Sequence, residues 1–195
     1  MANDQVSEAN ADLERAAGLL ESLVNQTEFS TPLKLMVQRH LGGVYTMLKM
    51  EEKALEVYEQ MVQVRPNDIV VLNNMAYILA DKLNRPDDAL KYIERAMRHR
   101  SQDHNLMDTY GFVLLKKGEI NPAIEQFKKS MDIQPTSTTS YHLGLALIEA
   151  KDYQDALKAL REAERMLEKN LAGREEEMAM VKDLIEEVEK ELEKE

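Results

Sequence analysis

YGFVLLKKGEINPAIEQFKKSMDIQP, residues 110–135, contains the pattern from which we predict the fold. Its apolar residues recur at helical spacing on both sides of Gly118, which predicts two helices joined by a short turn. Pro135 disfavours helical backbone in the residue before it, so the second helix is predicted to end there. The same pattern occurs earlier in the chain, where Gly42 precedes Pro66 by the same interval as Gly111 precedes Pro135.

An alanine followed by leucine or isoleucine opens each predicted second helix. These dipeptides recur at nearly equal intervals along the chain: Ala54-Leu55, Ala89-Leu90, Ala123-Ile124 and Ala156-Leu157. The interval is about 34 residues, within the range of periods that indicates a repeat protein. Three successive intervals of this length indicate a stack of four helix pairs, because stacked repeats bury the face that one pair leaves exposed.

At the predicted contact within each pair, a small residue of the first helix faces a large residue of the second helix. The first helices place Gly42, Ala76, Gly111 and Gly144 at one equivalent position, where a small residue lets the second helix approach closely. The second helices place a larger residue at one equivalent position, which fills the remaining space: Tyr58, Ile93, Phe127 and Leu160.

The pattern Tyr110-Gly111, Gly118, Ala123, Phe127 and Pro135 resembles the tetratricopeptide repeat (TPR). The resemblance covers residues 35–170 and implies an all-α fold, a right-handed α-solenoid of four TPR helix pairs with capping helices at both ends. The second repeat departs from the pattern by one extra residue around Asn84-Arg85-Pro86. The string Asn73-Asn74-Met75-Ala76-Tyr77 is similar to bacterial TPR proteins, including proteins of the cell envelope.

The predicted organisation has three parts. An N-terminal capping helix, with an apolar stripe from Val6 to Val24, and its connection occupy residues 1–34. The four repeats occupy 35–68, 69–103, 104–136 and 137–170. An acidic C-terminal capping helix occupies 171–195, and from Ala172 onward it holds ten acids and four bases, a net charge of −6.

The C-terminal helix allows two interpretations. Met178, Val181, Ile185, Val188 and Leu192 are spaced 3, 4, 3 and 4 residues apart, which is the seam of a short coiled coil. The seam either packs on the fourth repeat as a cap or pairs with a second copy in a homodimer. Two heptads are fewer than the three or four that indicate a coiled coil, so the cap is favoured.

Composition and motifs argue against an enzyme, a metal protein, a nucleic-acid-binding protein and a membrane-inserted protein. The absence of cysteine excludes disulfides and thiolate metal sites, and no nucleophile, phosphate loop or metal motif is found, so we expect no enzyme, no cofactor and no metal. A net charge of −11 disfavours nucleic acid, and no apolar run is long enough for membrane insertion. His104 and Asp108 lie one helical turn apart and are interpreted as a surface pair. The default location is the cytoplasm, or the cell envelope or periplasm if a signal has been removed.

The resemblance implies a concave groove lined by the first helices. Amides at its inward positions bind a peptide backbone, aromatics offer contact area, and an arginine binds a carboxylate. The alternative is that the aromatics only pack between helices. A chaperone-type carboxylate clamp is not predicted, because only Arg39 and Asn74 fit it. The candidate ligand-binding residues are Arg39, His40, Asn73, Asn74, Tyr77, Asp108, Phe112, Lys116, Tyr141 and Leu145.

These patterns predict a scaffold that binds a protein or peptide segment in the groove. The alternative is a structural self-assembly module that dimerises through its end helices. We expect a ligand with apolar anchors and no strong charge bias, because the inward-facing charges nearly balance in sign: Arg39, Lys116, Asp81, Asp108 and Glu149.

Overall fold

A computed structural model describes residues 2–26 and 30–194, with side chains from residue 9 onward. The side chain of Val6 and residues 27–29 of the predicted connection lie outside this range. Every regular element of the described residues is helical. No helix among them combines the length and apolar character needed to span a membrane.

The helices follow one another in antiparallel pairs. Helix α1 spans Ala2–Val24 and α10 spans Glu175–Leu192. Between them lie α2 (Thr31–Met47), α3 (Glu51–Val64), α4 (Ile69–Tyr77), α5 (Pro86–Met97), α6 (His104–Lys116), α7 (Ile120–Ile133), α8 (Ser137–Glu149) and α9 (Tyr153–Glu168). The pairs stack into the predicted α-solenoid, with α4, α6 and α8 side by side.

Local sequence sets the helix ends. Helices α3 and α7 each end two residues before a proline, Pro66 and Pro135. Asp103 begins α6 by accepting hydrogen bonds from the N–H groups of Asn105 and Leu106, at 3.0 and 3.3 Å. Helix α2 begins at Thr31, so its first turn lies inside the segment 1–34 that was predicted to be cap and connection. Pro32 suits that first turn, where a missing N–H is not lost from the helix.

The predicted contact between small and large residues is confirmed. A Cβ atom built on Gly111 would lie 2.7 Å from the ring of Phe127, and one on Gly144 would lie 2.6 Å from a methyl group of Leu160. Gly42 faces the ring of Tyr58 in the same way. These distances are too short for an ordinary contact, so each glycine is required by the closeness of its helix pair.

The extra residue of the second repeat is absorbed by a change of helix type. The interval from Ala76 to Ala89 is one residue longer than the equivalent interval from Gly111 to Ala123. Helix α4 continues from Tyr77 into a π-helical turn, Ile78–Lys82, whose wider winding accommodates one more residue. Ala76 and Ile93 remain fully buried, so the contact of this pair is preserved.

Both ends of the stack are covered. Ala17 of α1 is buried, and the Tyr45 hydroxyl of α2 donates to Glu21. At the other end, the α10 seam is buried against α9 through Met178, Val181, Ile185 and Val188. This packing supports the interpretation of α10 as a cap. It also leaves a coiled-coil dimer without the apolar seam that it needs, because the same residues are already covered within one chain.

Substitution Gly111→Leu tests the packing of the third pair. We expect the free energy of unfolding to fall by about 1–3 kcal/mol or more, since the added side chain overlaps the Phe127 ring. Gly18→Leu is the control, because nothing lies within 4 Å of a Cβ at that position in α1. Urea unfolding followed by circular dichroism measures both, and equal stability of the two variants would contradict this packing.

Candidate ligand-binding groove

The first helices of the pairs form the inner face of the solenoid. Apolar side chains stay exposed on this face at its N-terminal end, where the exposed fraction is 51% for Met36, 65% for Met47 and 51% for Val70. Exposed apolar side chains on one face are candidate contacts for another molecule.

A pocket lies between α2, α4 and α6, next to Met47. Its volume is about 300 Å³, and it is lined by Gly43, Thr46, Met47, Tyr58, Asn73, Asn74, Tyr77, Ile78 and Thr109. None of these described residues has an acidic or basic side chain. Burial, followed by the nearby Asp81 carboxylate, raises the pKa of the Tyr77 hydroxyl to about 12, so Tyr77 is neutral as well. The pocket therefore favours a neutral, largely apolar group.

The two adjacent asparagines of α4 have different environments. Asn74 donates from Nδ2 to the Tyr58 hydroxyl at 3.2 Å, so its amide links the two helices. The Oδ1 atom of Asn73 is buried and has no hydrogen-bond partner among the described residues. A buried acceptor without a donor is destabilising. Because Asn73 lines the pocket, rotation of its amide toward the pocket would expose this acceptor to a ligand.

Arg39 and His40 lie outside this pocket. The Nη2 atom of Arg39 is 2.6 Å from Oδ2 of Asp68, whose side chain is 9% exposed and also caps the N-terminus of α4. The predicted carboxylate-binding role of Arg39 is thus taken by a carboxylate of the chain itself. His40 is exposed on α2 and does not line the pocket.

A row of neighbouring aromatic rings, of which Tyr77 and Phe112 are stacked and the others tilted, runs from the second to the fourth repeat. The ring centroids of Tyr77 and Phe112 are 5.5 Å apart, and those of Phe112 and His142 are 4.6 Å apart. Tyr141 continues the row at 5.8 Å from His142. Phe112 is only 5% exposed, so it packs between helices, as the alternative interpretation of the aromatics held. Tyr77 and Tyr141 are partly exposed and remain accessible.

His142 lies among these rings and was not one of the candidate residues predicted from the sequence. Its Nδ1 atom lies 3.1 Å from both carboxylate oxygens of Asp108, and its ring is nearly fully buried. Asp108 is therefore an internal partner and not a free ligand-binding carboxylate, and its partner is not His104. The separation of 34 residues, one repeat, is the signal in the sequence that could have identified the pair.

A second cavity continues the groove between α6, α8 and α10. Its volume is about 560 Å³, and Phe112, Lys116 and Leu145 are among its lining residues. The ammonium group of Lys116 lies 3.7 Å from Oδ1 of Asp81 and 5.0 Å from the Phe112 ring centroid. Six of the ten predicted residues line these two cavities: Asn73, Asn74 and Tyr77 line the first, and Phe112, Lys116 and Leu145 line the second. The other four line neither of them: Arg39, His40, Asp108 and Tyr141.

Within residues 2–26 and 30–194, no three or more His, Asp or Glu side chains gather closely enough to hold a metal ion.

Comparisons with known proteins agree with this architecture. The family described as anaphase-promoting complex, cyclosome, subunit 3 matches residues 76–163. A TPR repeat-containing protein of Pseudomonas aeruginosa is 24% identical over 110 residues, which are 53% of this chain and 19% of the relative. The chain thus spans about a fifth of the length of that relative.

Solved structures share the fold at low sequence identity. PilW, a type IV pilus biogenesis factor, has a TM-score of 0.72 and 20% identity over 96% of this chain and 88% of its own. MamA from Desulfovibrio magneticus RS-1 has a TM-score of 0.67 and 17% identity, covering 85% and 92%. YrrB, described as a TPR protein with an unusual peptide-binding site, has a TM-score of 0.59 and 21% identity, covering 86% and 84%.

Substitution Asp108→Ala tests the structural role of the buried pair. It leaves His142 without its partner, so we expect the free energy of unfolding to fall by about 1–3 kcal/mol. Asp132→Ala removes an exposed carboxylate of α7 and should change stability by less than about 0.5 kcal/mol. Thermal unfolding of both variants is the measurement, and an Asp108→Ala variant as stable as Asp132→Ala would show that the pair does not support the fold.

Proposed function

Because the chain is a tetratricopeptide-repeat protein, we propose that it is a scaffold that binds a peptide or protein segment in the groove of its first helices. One observation carries the proposal: an uncharged pocket contains the unpaired acceptor Asn73 Oδ1, and exposed Met36, Met47 and Val70 lie on the same face. A peptide offers an apolar side chain to cover the exposed apolar residues and a backbone N–H to donate to Asn73.

The floor of the groove is suited to this role because its polar groups are held in place. Asn74 is fixed by Tyr58, Arg39 by Asp68, and Asp108 by His142. Side chains that are already ordered lose little entropy when a ligand binds, so more of the contact energy contributes to affinity. The peptide-binding site for which YrrB is described lies on a similar fold, which agrees with the proposal.

A binding role is favoured over the other classes considered. The buried α10 seam argues against assembly through a coiled coil. The net charge of −11 argues against a nucleic-acid partner, because phosphate groups would be repelled. A neutral pocket with an unpaired amide oxygen offers a contact for a polypeptide but no group that would activate a substrate.

Selection from a phage-displayed library of random peptides, with the full chain as bait, tests the proposal. We expect peptides to be enriched, and a synthetic copy of one to bind in calorimetric titration. Met47→Ala should weaken that binding by about 1–2 kcal/mol, since a bound peptide would cover the exposed methionine and gain roughly that much from apolar contact. Asn73→Ala should weaken it by about 0.5–1.5 kcal/mol, the net value of one neutral hydrogen bond.

Matched controls separate the groove from the rest of the surface. Leu19→Ala removes a side chain of α1 that is 63% exposed, close to the 65% of Met47. Asn121→Ala removes an exposed amide of α7. Both controls should bind like the wild-type chain. Full affinity in the Met47→Ala and Asn73→Ala variants, or a failure to enrich any peptide, would refute the proposed function.

A further inference from the structure

Helix α10 presents two different faces to the rest of the chain. Its seam, centred on Val181 and Ile185, is buried against α9. A second face carries Met180, Leu184 and Glu187, which are spaced four and three residues apart and lie about 100° around the helix from the seam. Leu184 and Glu187 line the cavity that α10 forms with α6 and α8.

The walls of this cavity are largely aliphatic. Leu115, Ile120, Leu145, Ile148 and Leu184 line it, and each is partly exposed rather than fully buried. The cavity neighbours the first pocket, because Phe112, which lines the cavity, stacks on Tyr77, which lines the first pocket. A segment that occupies the first pocket can therefore extend into this cavity.

The charges around the cavity are unbalanced. Glu149 and Glu187 line it, both are exposed, and neither is within 4.0 Å of a basic group in the described part of the chain. The only basic lining residue in that part is Lys116, whose ammonium group is next to Asp81 and over the Phe112 ring. Two carboxylates thus remain available to a cation at the rim of an aliphatic cavity.

We propose that α10 completes the groove and that this cavity receives a lysine or arginine side chain of the bound segment. The aliphatic stem would contact Leu145, Ile148 and Leu184, while the charged end reaches Glu149 and Glu187. This inference rests on the proposed function, and it adds a basic residue to the otherwise neutral ligand expected from the sequence. A second copy of this chain is a poor occupant, because two molecules of charge −11 repel each other.

The peptides selected on the full chain provide the probe. We expect lysine or arginine to be enriched at one position of the selected sequences. A synthetic peptide with that residue should bind about fivefold more weakly to Glu149→Gln and to Glu187→Gln than to the wild-type chain, the upper range for a solvent-exposed ion pair. Replacing the basic residue of the peptide by glutamine should abolish the difference between the wild-type chain and Glu187→Gln, and high salt should reduce it.

Glu186→Gln is the matched control. It removes the same charge from the neighbouring position of α10, which is exposed and does not line the cavity, and it should bind like the wild-type chain. Equal affinities of Glu187→Gln and Glu186→Gln, or selected peptides without basic enrichment, would overturn this inference. If Met47→Ala still weakened those peptides, the proposed function would stand, whereas a failure to select any peptide would overturn both.

Discussion

The contact between a small residue of each first helix and a large residue of its partner sets how closely the two helices of every pair approach each other. Where Gly111 meets Phe127, no Cβ can be accommodated, so the two helices approach until a ring contacts the backbone. Gly42 with Tyr58 and Gly144 with Leu160 repeat this arrangement. Equal spacing within the pairs lets them stack regularly, and the regular stack brings the first helices together along one concave face.

The groove combines fixed and free groups. Its fixed groups belong to the fold: Asp108 holds His142 within the ring row, and Asp68 both caps α4 and holds Arg39. Its free groups are Met47, the Oδ1 atom of Asn73 and the carboxylates of Glu149 and Glu187. The proposed function depends on this division, because the fixed groups give the groove its shape and the free groups contact the ligand.

The features of the fold that depend on regular residue spacing were predictable from the sequence. The repeat length, the contact between Gly111 and Phe127, and the burial of the α10 seam all follow from apolar and small residues at regular spacing. These features depend on backbone geometry, which the repeat pattern determines almost completely. The assignment of Asn73, Asn74 and Tyr77 to one surface came from the resemblance to the tetratricopeptide repeat.

The pairing of polar groove side chains with one another could not be predicted from residue spacing. Arg39 and Asp68, or Asp108 and His142, lie 29 and 34 residues apart, and only the three-dimensional structure shows that they pair with each other rather than with a ligand. The π-helical turn at Ile78–Lys82 is a local solution to one inserted residue, for which several helix geometries are available. The second face of α10 was not predicted, because the apolar residues of the heptad seam account for most of the hydrophobic pattern of this helix.

A double-mutant cycle on Gly111 and Phe127 measures whether the two residues share one space between the helices. The free energies of unfolding of Gly111→Leu, Phe127→Ala and the combined variant would be measured by urea denaturation. If the two residues fill one shared space, the alanine leaves room for the leucine, and the combined variant should be more stable than the sum of the single effects by about 0.5–3 kcal/mol. Additive effects would contradict the account, because they would show that the two positions do not share the space between the helices.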